Sequence, residues 1–306
     1  MAEDDVIKGS RKICGMTAAE QVFTRANGDR VAVSEYGDKN GQPVIFCHGW
    51  PSSRTMAELT DDVARELRVR IISPDRPGIY GSTFVPNRKL LDWPLLLAEL
   101  ADFLHLRKFH MLAISGGAPY AYAAAWRMPE RVHAIAVASG APHIAELDDH
   151  SGLLALYRWL LRAHATLPPQ ISRWGFRAAQ PFLSLRPPRR SRALLLNLLQ
   201  ACDADSLRDE RAFAACFESQ RRAWKTSADG VLADAQIYAQ PWGFSLRELR
   251  VPVRLWHGER DRSFSAALAK ATAAQIPDCE LHIVPNAGHY STPIRHMREI
   301  LADLVR

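Results

Sequence analysis

The sequence predicts an α/β fold, in which a mainly parallel sheet carries helices on both faces and one helical segment is inserted between two strands. Three observations predict it. Short apolar runs rich in β-branched residues alternate with segments whose apolar residues recur at helical spacing. The alternation stops near residue 144 and resumes after residue 239. Glycine and proline residues, which are typical of turns, occur at the ends of the runs. Alternating strands and helices are typical of a parallel sheet covered on both faces.

The composition is that of a globular protein, with 306 residues, of which 47% are hydrophobic and 24% charged. Apolar runs such as Leu194–Leu199 are far shorter than the ~20 residues that cross a bilayer. The net charge of +6 is mild for this length. We therefore expect no membrane span and no nucleic-acid partner. The densest basic cluster is interpreted as a solvated surface segment, with a role at a membrane surface or with a partner left open: Arg186, Arg189, Arg190 and Arg192.

The cysteines and the N-terminal segment indicate the cellular compartment in which we expect the protein. Five cysteines, an odd number without CxxC spacing, argue against a disulfide framework and against a zinc site: Cys14, Cys47, Cys202, Cys216 and Cys279. Residues Met1–Ala18 are polar and lack the apolar segment of a signal peptide. We expect a cytoplasmic protein with no disulfides, no catalytic thiol and no metal or organic cofactor.

The elements before the insertion follow from apolar runs and turn residues. Asn27-Gly28 predicts a hairpin between two strands, Val22–Thr24 and Val31–Tyr36. Four more strands are predicted at Pro43–Cys47, Val69–Ser73, Phe109–Ile114 and Val132–Ser139. Three helices are predicted at Arg54–Leu67, Asp92–Leu106 and Ala118–Arg127.

The insertion, from Ile144 to Ala239, is rich in Leu, Ala and Arg at helical spacing and contains no convincing strand. After it, strands are predicted at Val253–His257 and Glu280–Val284, and helices at Ser265–Ile276 and at the C-terminus. In the last helix, one apolar face is formed by Ile294, Met297, Ile300, Leu301 and Leu304. We expect a core domain of residues 1–143 and 240–306 and a helical cap of residues 144–239.

Ser115 lies where a predicted strand meets the next helix, in the sequence FHMLAISGG. Small residues two positions before and after it, Ala113 and Gly117, allow a tight turn that lifts the hydroxyl into solvent at the helix N-terminus. There the helix dipole and the N–H of Gly116 favour a developing oxyanion. The common form of this turn has Gly at the position of Ala113. A phosphate-binding loop or a plain helix cap are the alternatives.

A serine hydroxyl is a poor nucleophile without a base. His289 and Asp261 each follow a predicted strand, and Asp261 stands three residues after Gly258. In open α/β sheets such positions meet at the carboxyl edge, where ligands bind. The order Ser115, Asp261, His289 predicts a catalytic triad in which the acid orients the histidine. The second oxyanion donor is expected in His48-Gly49-Trp50-Pro51, where Trp50 has an N–H and Pro51 has none.

Together these motifs resemble the α/β-hydrolase fold superfamily over about residues 20–306. The resemblance rests on HGWP at 48–51, DRPGIYGS at 75–82, AISGG at 113–117, GERD at 258–261 and GH at 288–289. It implies an eight-stranded, mainly parallel sheet, a cap formed by the insertion, and an Arg76 that is ion-paired near the site. It also implies oxyanion donors at Trp50 and Gly116 and substrate contacts at His48, Gly49 and Trp50.

Departures from named subfamilies narrow the expected function. Ser115 stands where epoxide hydrolases and haloalkane dehalogenases have Asp, and Trp50 departs from the loops of proline iminopeptidases and of HGGG lipases. The subfamilies that remain are serine hydrolases in which a cap domain covers the active site. We expect cleavage of a carboxylic ester, or of a similar acyl or lactone bond, in a small to medium apolar substrate. Alternatives are an acyltransferase, a C–C bond hydrolase, a perhydrolase-like enzyme, a cofactor-free lyase or oxygenase, and a receptor-like binding module.

Aromatic residues of the insertion are expected to face either the site or, more often, the core. These residues are Tyr157, Trp159, Trp174, Phe176, Phe182, Phe213 and Trp224.

Overall fold

The structure is a computed structural model that describes residues 19–185 and 189–306, without the side chains of residues 189–191. Several features considered above lie outside the described residues. They are the N-terminal segment with Cys14, the dipeptide Pro187-Pro188, and the side chains of Arg186, Arg189 and Arg190.

Eight strands form one sheet in the order β1-β2-β4-β3-β5-β6-β7-β8. The second strand is antiparallel to β1 and to β4, and the other neighbours are parallel. The predicted mainly parallel sheet is confirmed, and all eight predicted strands are present. Their bounds are β1 Ala19–Thr24, β2 Arg30–Gly37, β3 Gln42–Cys47, β4 Val69–Pro74, β5 Phe109–Ile114, β6 Val132–Ala138, β7 Val253–Gly258 and β8 Cys279–Val284.

Helices pack on both faces of this sheet, and the helical insertion lies between β6 and β7 in the order of the chain. Those before the insertion are α1 Asp61–Glu66, α2 Asp92–Phe103 and α3 Ala118–Arg127. Those within it are α4 Ala155–Thr166, α5 Pro169–Leu183, α6 Arg189–Asn197, α7 Ala201–Ser206, α8 Glu210–Thr226 and α9 Ala228–Tyr238. Those after it are α10 Ala266–Ala273, α11 Ser291–Arg295 and α12 Met297–Leu304. In the described part of the insertion the only β pairing is a single bridge between Leu153 and Phe264.

The sheet is buried on both faces because successive strand residues point to opposite sides. In β3, Ile45 packs into the apolar cluster with α2 and α3, and its neighbours Val44 and Phe46 pack into the cluster with α12. This two-sided burial holds the carboxyl ends of β3, β5, β7 and β8 in fixed relative positions. The loops that follow these strands carry the candidate site.

Two predicted helices differ from the structure. The segment predicted as one helix at Arg54–Leu67 is a 3₁₀ helix at Arg54–Thr60 followed by α1. Its first turn is held from outside, because Asp75 accepts a hydrogen bond of 2.6 Å from the backbone N–H of Arg54. The C-terminal helix is broken at His296, where the backbone leaves helical geometry, so Ile294 is on α11 and the buried Met297, Ile300, Leu301 and Leu304 are on α12.

Within the described residues, no helix combines the length and the apolarity needed to cross a membrane. The four described cysteines, Cys47, Cys202, Cys216 and Cys279, are free thiols. Burial raises the pKa of the Cys47 thiol to about 12, which keeps it protonated beside the candidate site.

Candidate active site

Ser115 stands directly after β5 in a left-handed backbone conformation, with φ at +54°. Such a conformation is uncommon outside glycine and is found where a tight turn imposes it. The turn is close to β3, because a Cβ added at Gly117 would overlap the carbonyl oxygen of Cys47. Only glycine fits there. One expectation is wrong: the side chain was expected in solvent, and Ser115 is only 5% exposed. His289 and Gly49 lie against it.

The histidine and the acid predicted from sequence meet at this serine. His289 Nε2 lies 3.0 Å from Ser115 Oγ, and His289 Nδ1 lies 2.8 Å from Asp261 Oδ2. The other carboxylate oxygen of Asp261 accepts hydrogen bonds from the backbone N–H groups of Ser263 and Phe264 at 2.7 and 3.1 Å. These bonds orient the carboxylate toward the imidazole. Glu259, the neighbouring acid, instead accepts from the N–H of Asn286.

The charges of this pair stabilise one another. Burial would lower the pKa of His289, but the carboxylate of Asp261 outweighs it and the pKa is raised above its ordinary value of 6.5. Burial would likewise raise the pKa of Asp261, but His289 brings it below its ordinary value of 3.8. Asp261 is therefore ionised at neutral pH and favours a protonated imidazole.

The loop after β3 brings Gly49 and Trp50 against the serine turn. A Cβ added at Gly49 would lie 3.4 Å from the Cβ of Ser115, and one added at Gly116 would lie 2.9 Å from the Cβ of Trp50. The two segments expected to supply oxyanion donors are thus adjacent. The ring of His48 is fully buried, and its Nδ1 lies 3.0 Å from the carbonyl oxygen of Gly49.

A buried cluster of charged side chains fixes the position of this loop. Arg76 donates to the carbonyl oxygens of His48 and Gly49 at 2.6 and 2.7 Å, and pairs with Asp234 of α9 at 2.8 Å. The expected ion pair of Arg76 is therefore present. Asp234 also accepts from Arg88 and from the hydroxyl of Tyr120. Burial would raise the pKa of Asp234, but Arg76 and Arg88 bring it down to about 2.

A second contact from α9 holds the serine turn itself. The hydroxyl of Tyr238 donates to the carbonyl oxygen of Gly116 at 2.8 Å. The indole N–H of Trp50 donates in turn to the carbonyl oxygen of Val231 at 2.9 Å. One helix of the insertion therefore contacts both segments that flank Ser115.

Asp203, a buried residue of α7, was not among the residues predicted from the sequence. Its carboxylate accepts from the backbone N–H groups of His289, Tyr290 and Ser291 at 3.1, 3.0 and 2.8 Å, and from the hydroxyl of Ser291 at 2.9 Å. A Cβ added at Gly288 would lie 2.5 Å from this carboxylate, so glycine is needed for the close approach. The insertion thus holds the loop that carries His289.

Aromatic rings surround the serine and the histidine. Trp50 lies with its ring centre 6.4 Å from Tyr157 of α4, and Tyr157 stacks on Phe264 at 5.4 Å. Phe264 in turn meets the edge of His289 at 5.7 Å. Of the insertion aromatics predicted to face the site or the core, Tyr157 is at the site, and Phe176 packs on Trp224. The prediction is wrong for Trp159, Trp174 and Phe182, which are 61%, 73% and 77% exposed.

Comparison with known families agrees with this architecture. A family model described as the alpha/beta hydrolase family matches residues 44–304. The chain belongs to the alpha/beta hydrolase family.

Relatives of this alpha/beta hydrolase cover most of its length. It is 26% identical over 273 residues to a Bacillus subtilis (strain 168) protein provisionally named 2-succinyl-6-hydroxy-2,4-cyclohexadiene-1-carboxylate synthase, with 87% of this chain and 90% of the relative covered. Similar solved structures include a bromoperoxidase from Bacillus anthracis, with a TM-score of 0.70, 18% identity and 94% and 99% of the two chains covered. They also include an esterase from Thermogutta terrifontis, with a TM-score of 0.62, 20% identity and 94% and 97% covered. At these identities the solved structures show the shared fold.

Proposed function

We propose that this alpha/beta hydrolase is a serine esterase that cleaves a carboxylic ester, or a similar acyl or lactone bond, of a small to medium apolar substrate. Ser115 is the nucleophile, His289 the general base and acid, and Asp261 the residue that orients His289. The observation that carries the proposal is the continuous relay from Ser115 Oγ to His289 at 3.0 Å and from His289 to Asp261 at 2.8 Å. Such a relay activates a hydroxyl that is otherwise a weak nucleophile.

The reaction proceeds in two halves. Ser115 Oγ attacks the carbonyl carbon while its proton moves to His289 Nε2, and the carbonyl oxygen becomes an oxyanion. The C–O bond to the leaving alcohol then breaks, and the alcohol takes the proton from His289. Water attacks the acyl-enzyme by the same route and releases the acid and free Ser115. These steps require no metal or organic cofactor.

The proposed oxyanion donors are the backbone N–H groups of Trp50 and Gly116. The carbonyl of Gly49 and the N–H of Trp50 belong to one planar peptide group, so they point in opposite directions. Because Arg76 holds that carbonyl at 2.7 Å, it also fixes the direction of the Trp50 N–H. Donors that are fixed before the reaction stabilise a developing charge without reorganisation.

An apolar substrate is favoured by the lining of the site. Trp50, Tyr157 and Phe264 form a continuous run of ring contacts that ends at His289. The buried arginines Arg76 and Arg88 already bind protein partners, because both pair with Asp234 and Arg76 also donates to the carbonyl oxygens of His48 and Gly49. We assign the insertion, residues 144–239, as the cap that walls the acyl pocket, and residues 1–143 and 240–306 as the core. The four free thiols support a reducing compartment such as the cytoplasm.

A panel of p-nitrophenyl esters of graded acyl length, run beside lactone and amide panels, tests the proposed activity. We expect hydrolysis of short to medium esters and an optimum at one acyl length. The matched control is Ser115→Ala, which removes one oxygen from the turn. A wild-type protein that hydrolyses none of these substrates while binding one tightly would support the receptor-like alternative.

The Bacillus subtilis relative favours a second candidate, a non-hydrolytic reaction on the same fold. Its name assigns it to a synthase of a cyclohexadiene carboxylate. The two candidates differ in the use of water. Turnover in ¹⁸O-labelled water places label in the released acid if the acyl-enzyme is hydrolysed, and leaves the product unlabelled if the reaction does not consume water.

A further inference from the structure

Three side chains that carry metal-ligating groups meet between β8 and α12, at a place that the proposed reaction does not use. Glu280 and His282 are two residues apart on β8, so their side chains point to the same face of the sheet. Asp303 approaches them from α12. One potential ligand atom from each residue lies within 4.8 Å of the other two. We call these three residues the β8–α12 cluster.

The distances within the cluster are those of ligands around one ion. His282 Nε2 lies 3.4 Å from Glu280 Oε1 and 3.5 Å from Asp303 Oδ2. Zinc bonds to nitrogen and oxygen are about 2.0–2.2 Å long, so neighbouring ligands of a tetrahedral zinc ion are about 3.4 Å apart. His282 Nε2 and Asp303 Oδ2 are buried, and neither has a hydrogen-bond partner within the described residues. The Asp303 side chain is only 7% exposed, so an unpaired oxygen there is costly, and a cation would supply its partner.

Two arginines pair with the outer oxygens of the carboxylates. Arg254 Nε of β7 lies 3.5 Å from Glu280 Oε2 and 3.6 Å from Asp303 Oδ1. Arg306, which is 81% exposed, lies 3.6 Å from the same Asp303 oxygen. The oxygens beside His282 are the other member of each carboxylate. The arginines therefore orient the two acids and leave the inner oxygens available as ligands, as the outer partners of metal-binding carboxylates do.

Packing fixes the imidazole, and the cluster is open to solvent on one side. Trp256 of β7 is the cross-strand neighbour of His282 and stacks on it, with ring centres 4.1 Å apart and ring planes at 16°. The strand β8 is an edge strand of the described sheet. Glu280 is 56% exposed, so an ion can enter on its side and its carboxylate can close around the ion.

We propose that Glu280, His282 and Asp303 bind a zinc ion that links α12 to the edge strand β8. One imidazole nitrogen and two carboxylate oxygens suit Zn²⁺, and a water molecule completes the four ligands. Cysteine spacing, which argues against a thiolate zinc site, does not bear on ligands of this kind. No residue of the proposed catalytic triad takes part, so the inference does not depend on the proposed esterase activity.

Isothermal titration of the full chain with zinc chloride, after removal of metals with EDTA, tests the proposal. We expect saturable binding of zinc that Glu280→Gln weakens by about 100-fold or more, because loss of an outer partner alone weakens a metal site by about 10–100-fold. Glu280 is 56% exposed, so this variant should fold. The matched control is Asp278→Asn, which removes the same charge from an exposed residue two positions earlier and should bind zinc like the wild type.

Two further measurements locate the ion and its effect. Anomalous scattering at the zinc edge, from crystals grown with zinc, should place the ion about 2.0–2.2 Å from the three ligand atoms. Zinc should raise the thermal unfolding midpoint of the wild type, because the ion binds the folded chain, and should not raise that of Glu280→Gln or His282→Ala. Each variant is compared with itself without zinc. Cys279→Ser should respond like the wild type, because successive residues of β8 point to opposite faces.

Three outcomes would overturn the proposal. The first is a wild-type protein that shows neither heat of zinc binding nor a change in its unfolding midpoint. The second is an equal loss of zinc affinity in Glu280→Gln and Asp278→Asn, which would mean that acidic side chains attract the ion without coordinating it. The third is a Glu280→Gln variant that binds zinc as tightly as the wild type, because the ion would then lie elsewhere, at the thiols or at His289.

Discussion

Asp203 of the insertion accepts two hydrogen bonds from Ser291, one from its backbone N–H at 2.8 Å and one from its hydroxyl at 2.9 Å. The same carboxylate also accepts from the N–H of His289, the residue that we propose as the base. A carboxylate at the start of α11 is stabilised there by the helix dipole and by the free N–H groups. The insertion therefore fixes the loop from which His289 projects.

Asp203→Asn should therefore impair catalysis through the position and the charge of His289. The negative charge of Asp203 contributes to the raised pKa of His289. Because the base must be neutral to accept the proton of Ser115, kcat/KM falls at acidic pH as His289 becomes protonated. Removal of the charge lowers the pKa of His289 and moves this acid limb to lower pH. We also expect a decrease of up to about 100-fold in kcat at the optimum, from misplacement of the loop.

The matched control is Asp205→Asn on the same helix, where the carboxylate is half exposed and pairs with Arg208 at 2.9 Å. It should leave both the pH profile and kcat unchanged. An Asp203→Asn variant with a wild-type pH profile would mean that Asp203 serves stability alone.

The choice of Asp261 as the acid is tested against Glu259. Asp261→Asn removes the charge that holds the Nδ1–H of His289, and the wrong tautomer should lower kcat by roughly 10⁴. Glu259→Gln should change kcat little, because Glu259 contacts the N–H of Asn286 and not the imidazole. Steady-state kinetics of both variants with one ester measure the two effects on kcat. A larger loss of kcat for Glu259→Gln than for Asp261→Asn would show that Glu259 is the acid that orients His289.

Asp234 should contribute to stability in a defined pH range. Its pKa is about 2 in the folded protein, whereas an unperturbed Asp titrates near ~3.9. A carboxyl group with a depressed folded-state pKa stabilises the fold at pH values above its unfolded pKa, and this contribution is lost as the pH falls from about 4 toward 2. Asp234→Asn should lower the free energy of unfolding by about 3–5 kcal/mol at neutral pH, since it leaves the charges of Arg76 and Arg88 buried without a counter-charge.

Urea unfolding of both proteins at several pH values measures this difference, which should shrink below pH ~4. Asp229→Asn on the same helix is the control, because its partner Arg177 is 58% exposed and the pair should contribute only about 0–1 kcal/mol. A loss of stability of the same size in both variants would contradict the role assigned to the buried cluster.

Tyr157 should set acyl-chain preference. It is the insertion aromatic that contacts Trp50 and Phe264, and apolar pocket contacts discriminate by about 1–3 kcal/mol per methylene-sized difference. Tyr157→Ala should shift the preferred acyl length by roughly 10- to 200-fold in relative kcat/KM while a fluorophosphonate still labels Ser115. Trp159→Ala, two residues along the same helix and 61% exposed, should cause no shift. An unchanged preference for Tyr157→Ala would remove Tyr157 from the pocket.

Local sequence signals predicted much of this molecule. The strand β5 and the turn at Ser115 depend on residues within ten positions of each other, and the apolar run and the small residues around the serine were sufficient to locate both. The same holds for the eight strands, whose β-branched runs are short and bounded by turn residues. The order of the strands in the sheet was not predicted, since no local pattern specifies which strands pair.

Long-range polar contacts could not be predicted. Asp203 is 86 residues from His289, and Asp234 is 158 residues from Arg76, so neither pair leaves a spacing pattern in the sequence. The one available signal for Asp203 is that it is the first acidic residue after a long segment without any. The expectation that Trp174 faces the site or the core was wrong for a different reason: helical periodicity identifies the apolar positions of α5 but does not say which of them pack inward.

The most direct test of the central claim is labelling and turnover at Ser115. A fluorophosphonate should form a covalent adduct with the wild-type protein, located at Ser115 by peptide mass spectrometry, and none with Ser115→Ala. The same substitution should lower ester turnover by roughly 10⁴–10⁶, while circular dichroism shows an intact fold. Equal labelling of the two proteins, or an Ser115→Ala variant that retains wild-type turnover, would contradict the account.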